Sequence, residues 1–516
     1  MLAWTVYISF LGVLALMLLP KDNASAARKV AMLAAGAGLL VALAGFVEFK
    51  AGETIMVADA DWIPSLGIRY HLAADGISLT LVLLTGLAAV AGILFSWNIE
   101  HRAKEFFAFY LALIGGVYGV FLSFDAFLLF VFYEIAIIPK YFIIAIWGST
   151  RREYGAMKLA LYSFVGSAMV LIGLIAAYVV AGSKTMSLVE LAKYPFPHGF
   201  QMWVFPLVFV GFAILAGLWP FHTWAPTGHV AAPTAASMLL AGVVMKLGAY
   251  GCLRVAMTLF PEGLEDWDFG VMGFHSWRDV IAILSVIGIV YGAMVALVQK
   301  DFKFVIGYSS VSHMGFVLLG LVTLNTMGLS GAVLQMFSHG VIAGLLFAVV
   351  GRMVYDRTHT RELSVLEEMN LSKAIPFAAA TFVIAAVASM GLPGFSGFVA
   401  ELQVLIGAWK AYPTLAVITG VGILVGVAYT LRAVQKAFFG EAEHRSPIRR
   451  AEDEQRHAGP EAVTPMEAIS IPERIGAVLL IGASLLIGFY PRLLLDVIVP
   501  SFNSPLFDGL RKAGLP

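Results

Sequence analysis

Charged residues and cysteine are scarce in this chain of 516 residues. Asp, Glu, Lys and Arg make up 13% of it and apolar residues 60%, whereas a soluble domain has about 25% charged residues. This composition excludes a soluble cytosolic enzyme, a secreted disulfide scaffold and a disordered protein. The single cysteine, Cys252, cannot form an internal disulfide, and no Cys/His group has the spacing of a metal site. We therefore expect no redox centre held by this chain.

A net charge and the common ligand-binding motifs are also absent. The 33 Lys and Arg are balanced by 33 Asp and Glu, so the chain has no general electrostatic attraction for nucleic acid. We find no phosphate-binding loop, no nucleophile elbow and no dinucleotide fingerprint. The sequence therefore gives no reason to expect a nucleic-acid partner or a nucleotide site.

Apolar runs long enough to cross a bilayer fill well over half of the chain. A transmembrane helix needs about 20 apolar residues, and we count about fourteen continuous runs near this length. The sequence therefore predicts an all-α, polytopic membrane protein. The predicted spans, numbered 1 to 14 and used by these numbers below, are 3–19, 30–49, 77–97, 106–122, 126–147, 157–181, 203–221, 231–258, 279–298, 304–323, 328–351, 375–409, 413–438 and 475–498.

The N-terminus has some features of a secretory signal peptide. Residues 5–19 are apolar, and Ala24-Ser25-Ala26 resembles a cleavage site. A signal peptide begins with Lys or Arg, however, and none precedes this run. A second apolar run also follows at once, from Val30. We therefore predict that residues 3–19 form the first retained span.

Two spans contain residues that a continuous helix does not tolerate. Span 7 runs into Trp219-Pro220, and the run 391–397 in span 12 reads Gly-Leu-Pro-Gly-Phe-Ser-Gly. Proline removes a backbone donor and clashes with the preceding turn, so both helices should break near mid-membrane. Interrupted helices at matching places in two halves are typical of transporter sites at a repeat interface. We therefore predict an internal repeat of spans 4–8 and 9–13, although two unrelated proline kinks would give the same pattern.

Lys and Arg in the loops indicate the orientation. The loops on the side opposite to the N-terminus carry many more of these residues than the loops on the N-terminal side. This asymmetry predicts that both termini face outward, and we favour a bacterial inner membrane over an organelle. The predicted divisions are 1–104 with spans 1–3, 105–260 and 277–440 with the two repeats, a charged inner loop at 441–474, and span 14 with the tail at 475–516.

Four charged residues lie inside the apolar runs. Such residues are costly in hydrocarbon and often mark ion or proton paths. Burial and neighbouring charges shift their pKa values, so these groups can exchange protons near neutral pH. A buried ion pair that only serves helix packing is the alternative, and Lys140 can instead extend its amine to the inner surface. The four residues are Glu134, Lys140, Lys246 and Glu401.

Four histidines lie at similar depth, next to the breaks or in neighbouring helices. Histidine both donates and accepts a proton near neutral pH. Together they favour a hydrated polar axis, although a lone histidine in an apolar helix is usually a hydrogen-bonded core residue. Zinc is not expected, because no pair has the i, i+4 spacing. The four are His222, His229, His313 and His339.

Five runs together resemble the antiporter-like subunits of respiratory complex I, which are related to Mrp-type cation/proton antiporters. The resemblance covers roughly residues 70–500. Among these subunits the chain is similar to the M type, because span 12 carries Glu401 where the L and N types usually have lysine. The runs are 133–139 (YEIAIIP), 220–235 (PFHTWAPTGHVAAPTA), 246–251 (KLGAYG), 308–316 (YSSVSHMGF) and 391–395 (GLPGF).

The resemblance implies two inverted five-helix bundles that translocate protons, driven by NADH oxidation and quinone reduction elsewhere in the complex. It assigns Glu134 and Lys246 to the proton path and Glu401 to its outward exit. It places His229, His313 and His339 along the hydrated route between them. It also implies that this subunit binds no cofactor and that its partners are L-type and N-type chains, lipid and protons.

One departure from the family concerns span 7. The family usually has a lysine just before the span 7 proline, paired with the span 5 glutamate. Here the run 217–220 reads Gly-Leu-Trp-Pro, and the lysine is absent. We hypothesise that Lys140 supplies the missing charge. Six residues separate it from Glu134, which corresponds to about 9 Å of helix rise, so the pair would need a distortion at Pro139 or a water route.

Two other functions remain open from the sequence. The chain could be a subunit of a cation/proton antiporter or of a related membrane-bound hydrogenase complex, although Glu401 argues against this. It could also be a structural membrane scaffold. Substitution of Lys246 or Glu401 distinguishes a scaffold from a proton relay. A scaffold variant should still assemble and pump, whereas a relay variant should assemble and lose proton transfer.

Overall fold

A computed structural model describes residues 1–21, 23–265, 275–440 and 466–512. A helix lies at each predicted span, which confirms the helical membrane fold. The helices of spans 1 to 14 are Ala3–Leu18, Ala24–Glu48, Gly76–Leu94, Ala103–Leu122, Ala126–Trp147, Arg152–Val180, His198–Ala216 with Trp224–Ala231, Thr234–Met257, Trp277–Val298, Phe302–Val322, Thr326–Thr358, Pro376–Ser389 with Ser396–Ala411, Pro413–Phe438 and Ile471–Phe489.

The number of membrane crossings depends on the length of each helix. In the described part of the chain, twelve helices are long and apolar enough to cross a membrane. Spans 1 and 12 consist of shorter helices, so the total of fourteen stays a prediction. Shorter helices lie between or after the spans, at Leu188–Leu191, Leu363–Met369, Leu371–Ala374, Arg492–Ser501 and Asp508–Lys512.

Short acidic or amide side chains mark where several spans begin. The first amides of a helix have no partner within the helix, and a side-chain oxygen just before it can accept their hydrogen bonds. This pattern recurs at spans 2, 3, 5, 10 and 11, so these five starts are specified locally. The capping residues are Asn23, Asp75, Asp125, Asp301 and Asn325.

A β-hairpin, absent from our sequence prediction, connects spans 2 and 3. Strand β1 (Ile55–Ile63) pairs antiparallel with strand β2 (Ile68–Ala74). Their Ile, Val and Tyr residues favour strands, but the segment is too short and too polar to count as a span. We call the end of the bundle that carries β1 and β2 the hairpin end. The opposite end, with loops 95–102, 148–151, 299–301 and 359–375, is the basic end.

Both predicted breaks occur, and they share one local structure. The first helix of span 7 ends at Gly217 and that of span 12 just before Gly391, with φ of +87° and +70°. These values favour glycine. The amides of the next residues, Leu218 and Leu392, bond to carbonyls five residues back, which is the Schellman ending. Span 7 runs from the hairpin end to the basic end and span 12 the opposite way, as an inverted repeat requires. The repeat itself stays a prediction.

The two ends of the described chain lie at the hairpin end. Leu2, before span 1, packs against Gly45 near the end of span 2. The Ser501 hydroxyl accepts a hydrogen bond from the Gly76 amide at 2.9 Å, at the start of span 3. The predicted inner loop 441–474 lies mostly outside the described residues. Its last residues reach the basic end, where the buried Glu473 pairs with Arg357 at 2.9 Å.

A fully buried ion pair at the hairpin end links span 3 to span 8. The Arg254 guanidinium lies 2.7 Å from the Asp75 carboxylate, and both side chains are almost inaccessible to solvent. The rings of Phe124, Tyr250 and Phe507 lie within 5.5 Å of the guanidinium carbon, so cation–π contacts also stabilise it. The pair therefore connects the first bundle to the C-terminal segment.

We expect Asp75→Asn to destabilise the protein by about 3–5 kcal/mol, because it leaves the Arg254 charge buried without its counter-charge. Asparagine can still cap the helix of span 3, so the loss of stability measures the removal of the Asp75 charge and not the loss of the cap. Thermal denaturation of the purified complex measures it. Asp59→Asn is the matched control. Asp59 pairs with the half-exposed Arg69, and its loss should cost about 0–1 kcal/mol. Equal effects of the two variants would contradict the prediction.

Candidate functional site

Lys246 lies in the middle of span 8 with its amine inside the protein. The side chain is fully buried, and Nζ is 2.6 Å from His339 Nδ1 of span 11. Nζ also donates to the Ala241 carbonyl, in the π-helical turn Leu240–Val244. Such turns often occur at functional sites. The amine therefore has a backbone acceptor and a titratable partner at mid-membrane.

His313 of span 10 continues this line from His339 to Glu401. The two imidazole rings have centroids 5.4 Å apart, and His313 Nδ1 is 3.1 Å from Glu401 Oε1. A cavity of about 10 Å³ lies between these residues, close to the smallest that holds one water. We name Lys246, His339, His313 and Glu401 the central chain. It joins spans 8, 11, 10 and 12 at one depth.

The break in span 12 makes room for the Glu401 carboxylate. A Cβ atom on Gly391 would lie 2.7 Å from Glu401 Oε2, so only glycine fits here without moving the carboxylate. Ser389, at the end of the same helix, has its hydroxyl 3.3 Å from His313 Nε2. The interrupted helix therefore supplies both space and a polar partner to the central chain.

His229 lies beside the central chain but makes no direct contact with it. Its ring stacks on Phe347 at 4.8 Å between centroids, and neither ring nitrogen has a hydrogen-bond partner. It is close enough to Lys246 and Lys303 to interact electrostatically. His229 thus lies between the central chain and a second buried lysine.

Lys303 is buried, although the predicted span 10, residues 304–323, left it in the preceding loop. Only 2% of the residue is exposed, because the helix of span 10 begins at Phe302 and brings it into the bundle. Its Nζ donates to the Ala232 carbonyl at 2.9 Å and lies 3.4 Å from Ser237 Oγ. It lines a cavity of about 140 Å³ at the basic end, together with Asp356 and other polar side chains. This volume has room for several waters.

Glu134 and Lys140 of span 5 are neighbours without a direct ion pair. They interact electrostatically, but Lys140 Nζ and Glu134 Oε1 have no hydrogen-bond partner. Lys140 is fully buried, so its amine does not reach the inner surface, and that alternative is wrong. The helix is continuous through Pro139. In the described part of the chain, the hydrogen bonds of Lys246 go to Ala241 and His339 and not to this pair.

His222 lies in the break of span 7, apart from the central chain. Its ring packs edge-on against Tyr291 and Tyr308, with centroids 5.3 and 6.3 Å away. Its two nitrogens have no hydrogen-bond partner. Of the eight predicted residues, the structure thus brings four together, as two contact pairs whose imidazole rings are neighbours. It places His229 beside them and leaves Glu134, Lys140 and His222 separate.

Sequence reasoning missed several polar residues of the site and of the core. Gln335 Nε2 lies 3.4 Å from His313 Nδ1, and Ser309 and Ser389 line cavities next to it. Arg254 stands in an apolar run and was detectable by the same test that found Lys246. Lys303 follows the cap Asp301 by two residues, which places it inside the first helical turn. Across residues 1–21, 23–265, 275–440 and 466–512, no three His, Cys, Asp or Glu side chains come together as a metal site.

The family comparison agrees with this architecture. Residues 123–426 match the family described as NADH:quinone oxidoreductase/Mrp antiporter, transmembrane. The match covers more than half of the sequence and includes every residue of the central chain. The chain belongs to this family. A member from Rhodobacter capsulatus named NADH-quinone oxidoreductase subunit M is 38% identical over 475 residues, or 90% of this chain and 86% of that protein.

Chains in solved structures of a respiratory complex I and of an Mrp complex have the same fold. A chain of respiratory complex I from Thermus thermophilus superposes with a TM-score of 0.84 at 29% identity, covering 98% of this chain and all of that one. A chain of an Mrp complex from Dietzia gives 0.81 at 21% identity, with 98% of both chains covered. The Dietzia likeness shows the fold alone. The expected likeness to complex I subunits of the M type is confirmed.

We expect Gly391→Ala to separate Glu401 from His313. The left-handed backbone costs a non-glycine residue roughly 1–2 kcal/mol, and the new methyl group overlaps the position of Glu401 Oε2. Cryo-electron microscopy of the variant complex should show the distance from His313 Nδ1 to the carboxylate beyond hydrogen-bond range. Gly420→Ala is the control, because nothing lies within 4 Å of a Cβ atom at that position. An unchanged His313–Glu401 contact would refute the prediction.

Proposed function

We propose that this chain is a proton-translocating subunit of an NADH:quinone oxidoreductase of the complex I type. One observation carries the proposal: Lys246, His339, His313 and Glu401 follow one another at mid-membrane beside a broken helix. Ionisable groups at this depth are expensive and usually mark a path for ions or protons. We place NADH oxidation and quinone reduction in other subunits of the complex.

The central chain offers a defined route for a proton. The contact between Lys246 Nζ and His339 Nδ1 allows a proton to pass from the ammonium to a neutral imidazole. A water in the cavity between the rings would bridge His339 and His313, since their centroids are 5.4 Å apart. From His313 Nδ1 the proton passes to Glu401, which we propose as the exit towards the hairpin end.

We propose that protons enter from the basic end. The cavity at Lys303 opens there, and His229 lies within electrostatic reach of both Lys303 and Lys246. The excess of Lys and Arg in the loops at this end favours the cytoplasmic side of a bacterial inner membrane. Both termini would then face outward. In this scheme the bundles 105–260 and 277–440 meet at the central chain, as inverted repeats do.

The partners follow from the same proposal. L-type and N-type antiporter-like chains would lie on either side of this subunit, with lipid on the remaining apolar surface. Glu134 and Lys140 would act together within the first bundle and respond to charge in the neighbouring chain. A cation/proton antiporter or a membrane-bound hydrogenase-like complex is the alternative, and dependence of transport on Na⁺ instead of quinone turnover would favour it.

Lys246→Met should abolish proton transfer through this subunit. The substitution keeps an unbranched side chain of similar length but removes the proton carrier, and the loss of one positioned acid–base group typically costs about 10²–10⁴-fold in rate. The assay is ΔpH formation per NADH oxidised by the complex in proteoliposomes. Lys410→Met, at an exposed position near the end of span 12, is the matched control and should pump normally.

A complex with Lys246→Met that assembles and pumps like the control would refute the proposal and favour the scaffold. Glu401→Gln provides an independent test at the other end of the central chain. It preserves the side-chain shape and should give the same loss. A variant complex that fails to assemble would indicate a structural role for that residue, so the amount of assembled complex is measured first.

A double-mutant cycle tests whether Lys140 replaces the absent span 7 lysine. If Glu134 and Lys140 act as one unit, Glu134→Gln and Lys140→Met should each reduce pumping, and the double variant should be no worse than either. Lys193→Met, a lysine in the loop between spans 6 and 7 at the hairpin end, is the control. Additive losses in the double variant would contradict a shared role.

A further inference from the structure

A polar branch leaves the central chain and runs towards the basic end. The hydroxyl of Tyr429, in span 13, donates to Ser309 Oγ, in span 10, at 2.7 Å. Ser309 also lines the cavity shared by His313 and Glu401. Tyr429 is 5% exposed and lies within electrostatic reach of Glu401. The proposed proton route uses neither Tyr429 nor Ser309.

A second cavity continues this branch beyond Tyr429. It measures about 10 Å³ and adjoins the first cavity, with which it shares the lining residues Ser309 and Ser389. Phe302 and Phe382 line its other side. The two cavities and the Tyr429–Ser309 bond thus make a short path away from Glu401 that carries hydroxyl groups along part of its lining.

Three phenylalanines close this path at the basic end. The ring centroids of Phe302 and Phe382 are 4.9 Å apart, and those of Phe382 and Phe438 are 5.2 Å apart. The third pair, Phe302 and Phe438, is 6.3 Å apart, so each ring touches the other two. All three are buried, at 0 to 2% exposure. We name Phe302, Phe382 and Phe438 the aromatic plug.

We propose that the aromatic plug seals an inward branch of the proton path, made of Ser309 and Tyr429, so that Glu401 does not exchange protons with the basic side. The inference rests on the proposed function, because it assumes that the central chain carries protons. A tightly packed apolar cluster offers no hydrogen-bond partner to water or hydronium, and entry of such groups is costly. The plug therefore keeps the access of Glu401 one-sided, as directional transport requires.

The geometry explains why this branch needs a seal. Tyr429 lies nine residues before Phe438, the last residue of the span 13 helix, which is about 13 Å along the axis. Ser309 lies seven residues after Phe302 at the start of span 10. This layer of aromatic rings, at the ends of spans 10 and 13 and in the first half of span 12, lies between the branch and the basic end.

Phe382→Ala tests the plug. Removal of the central ring should let water reach Tyr429 and produce a passive proton leak in proteoliposomes containing the whole complex. The leak is measured without NADH, as the decay of an imposed pH gradient, and should be several-fold faster than in the unchanged complex. Phe439→Ala is the control, because Phe439 is adjacent to Phe438 but half exposed. It should not leak.

The route of the leak is tested by a second substitution. Phe382→Ala combined with Tyr429→Phe removes the hydroxyl that connects the opened cavity to Ser309, so the leak should fall to the level of the control. Phe438→Ala provides a second way to open the plug, should Phe382→Ala assemble poorly. Assembled plug variants that stay proton-tight, or an undiminished leak in the double variant, would overturn the proposal.

These outcomes are separate from those that test the proposed function. The leak assay needs no turnover, whereas the Lys246→Met assay measures pumping driven by NADH. Normal pumping by Lys246→Met would refute the proposed function even if the plug variants leak. A loss of pumping in Lys246→Met with tight plug variants would refute only the plug.

Discussion

Every backbone polar group that this chain places in hydrocarbon needs a partner inside the protein, and this constraint organises the rest of the structure. An unbroken helix satisfies its own backbone, whereas a break leaves amides and carbonyls that need other partners. At Gly217 and Gly391 the helices of spans 7 and 12 end in a Schellman motif and restart a few residues later. Irregular backbone at this depth is tolerated where it is buried in protein or lines a water-filled cavity. The second break holds the Glu401 carboxylate and its serine and histidine neighbours.

The protein contains two kinds of buried charged group, and they differ in whether they can exchange a proton. Arg254 and Asp75 form a contact pair with three aromatic rings around the guanidinium. Arginine does not lose its proton in proteins, so such a pair can only fix positions. Lysine, histidine and glutamate side chains, the types found at Lys246, His339, His313 and Glu401, can each gain or lose a proton. The lysine and the glutamate lie at opposite ends, with two imidazoles between them. A static ion pair would bring these two charges together instead.

Much of the fold was predictable from the sequence, because the bilayer imposes one length and one composition on every span. The two breaks were also predictable, since Pro220 and Pro393 have strong local effects. The hairpin at 55–74 was not predictable in this way. It is held by hydrogen bonds between its two strands, and neither strand is an apolar run long enough to cross a membrane. The burial of Lys303 was not predictable either. It depends on the residue at which the helix of span 10 begins, and the sequence locates helix ends only to within a few residues. The sequence could not show which of the eight candidate residues contact one another, because that depends on three-dimensional packing. His222 and His339, for example, looked equivalent in the sequence.

The two groups of buried charges differ in how their members communicate. In the central chain, contacts of 2.6 to 3.4 Å connect Lys246 to His339, and His313 to Gln335 and Glu401, with one gap between the two imidazoles. In span 5, Glu134 and Lys140 interact electrostatically without direct contact. Coulomb energy between such groups falls only with the first power of distance in a region of low dielectric constant, so a change of charge on one still alters the other. A proton needs contact or water, whereas an electrostatic signal needs neither. In the proposed function, the Glu134–Lys140 pair therefore senses charge, and the central chain moves the proton.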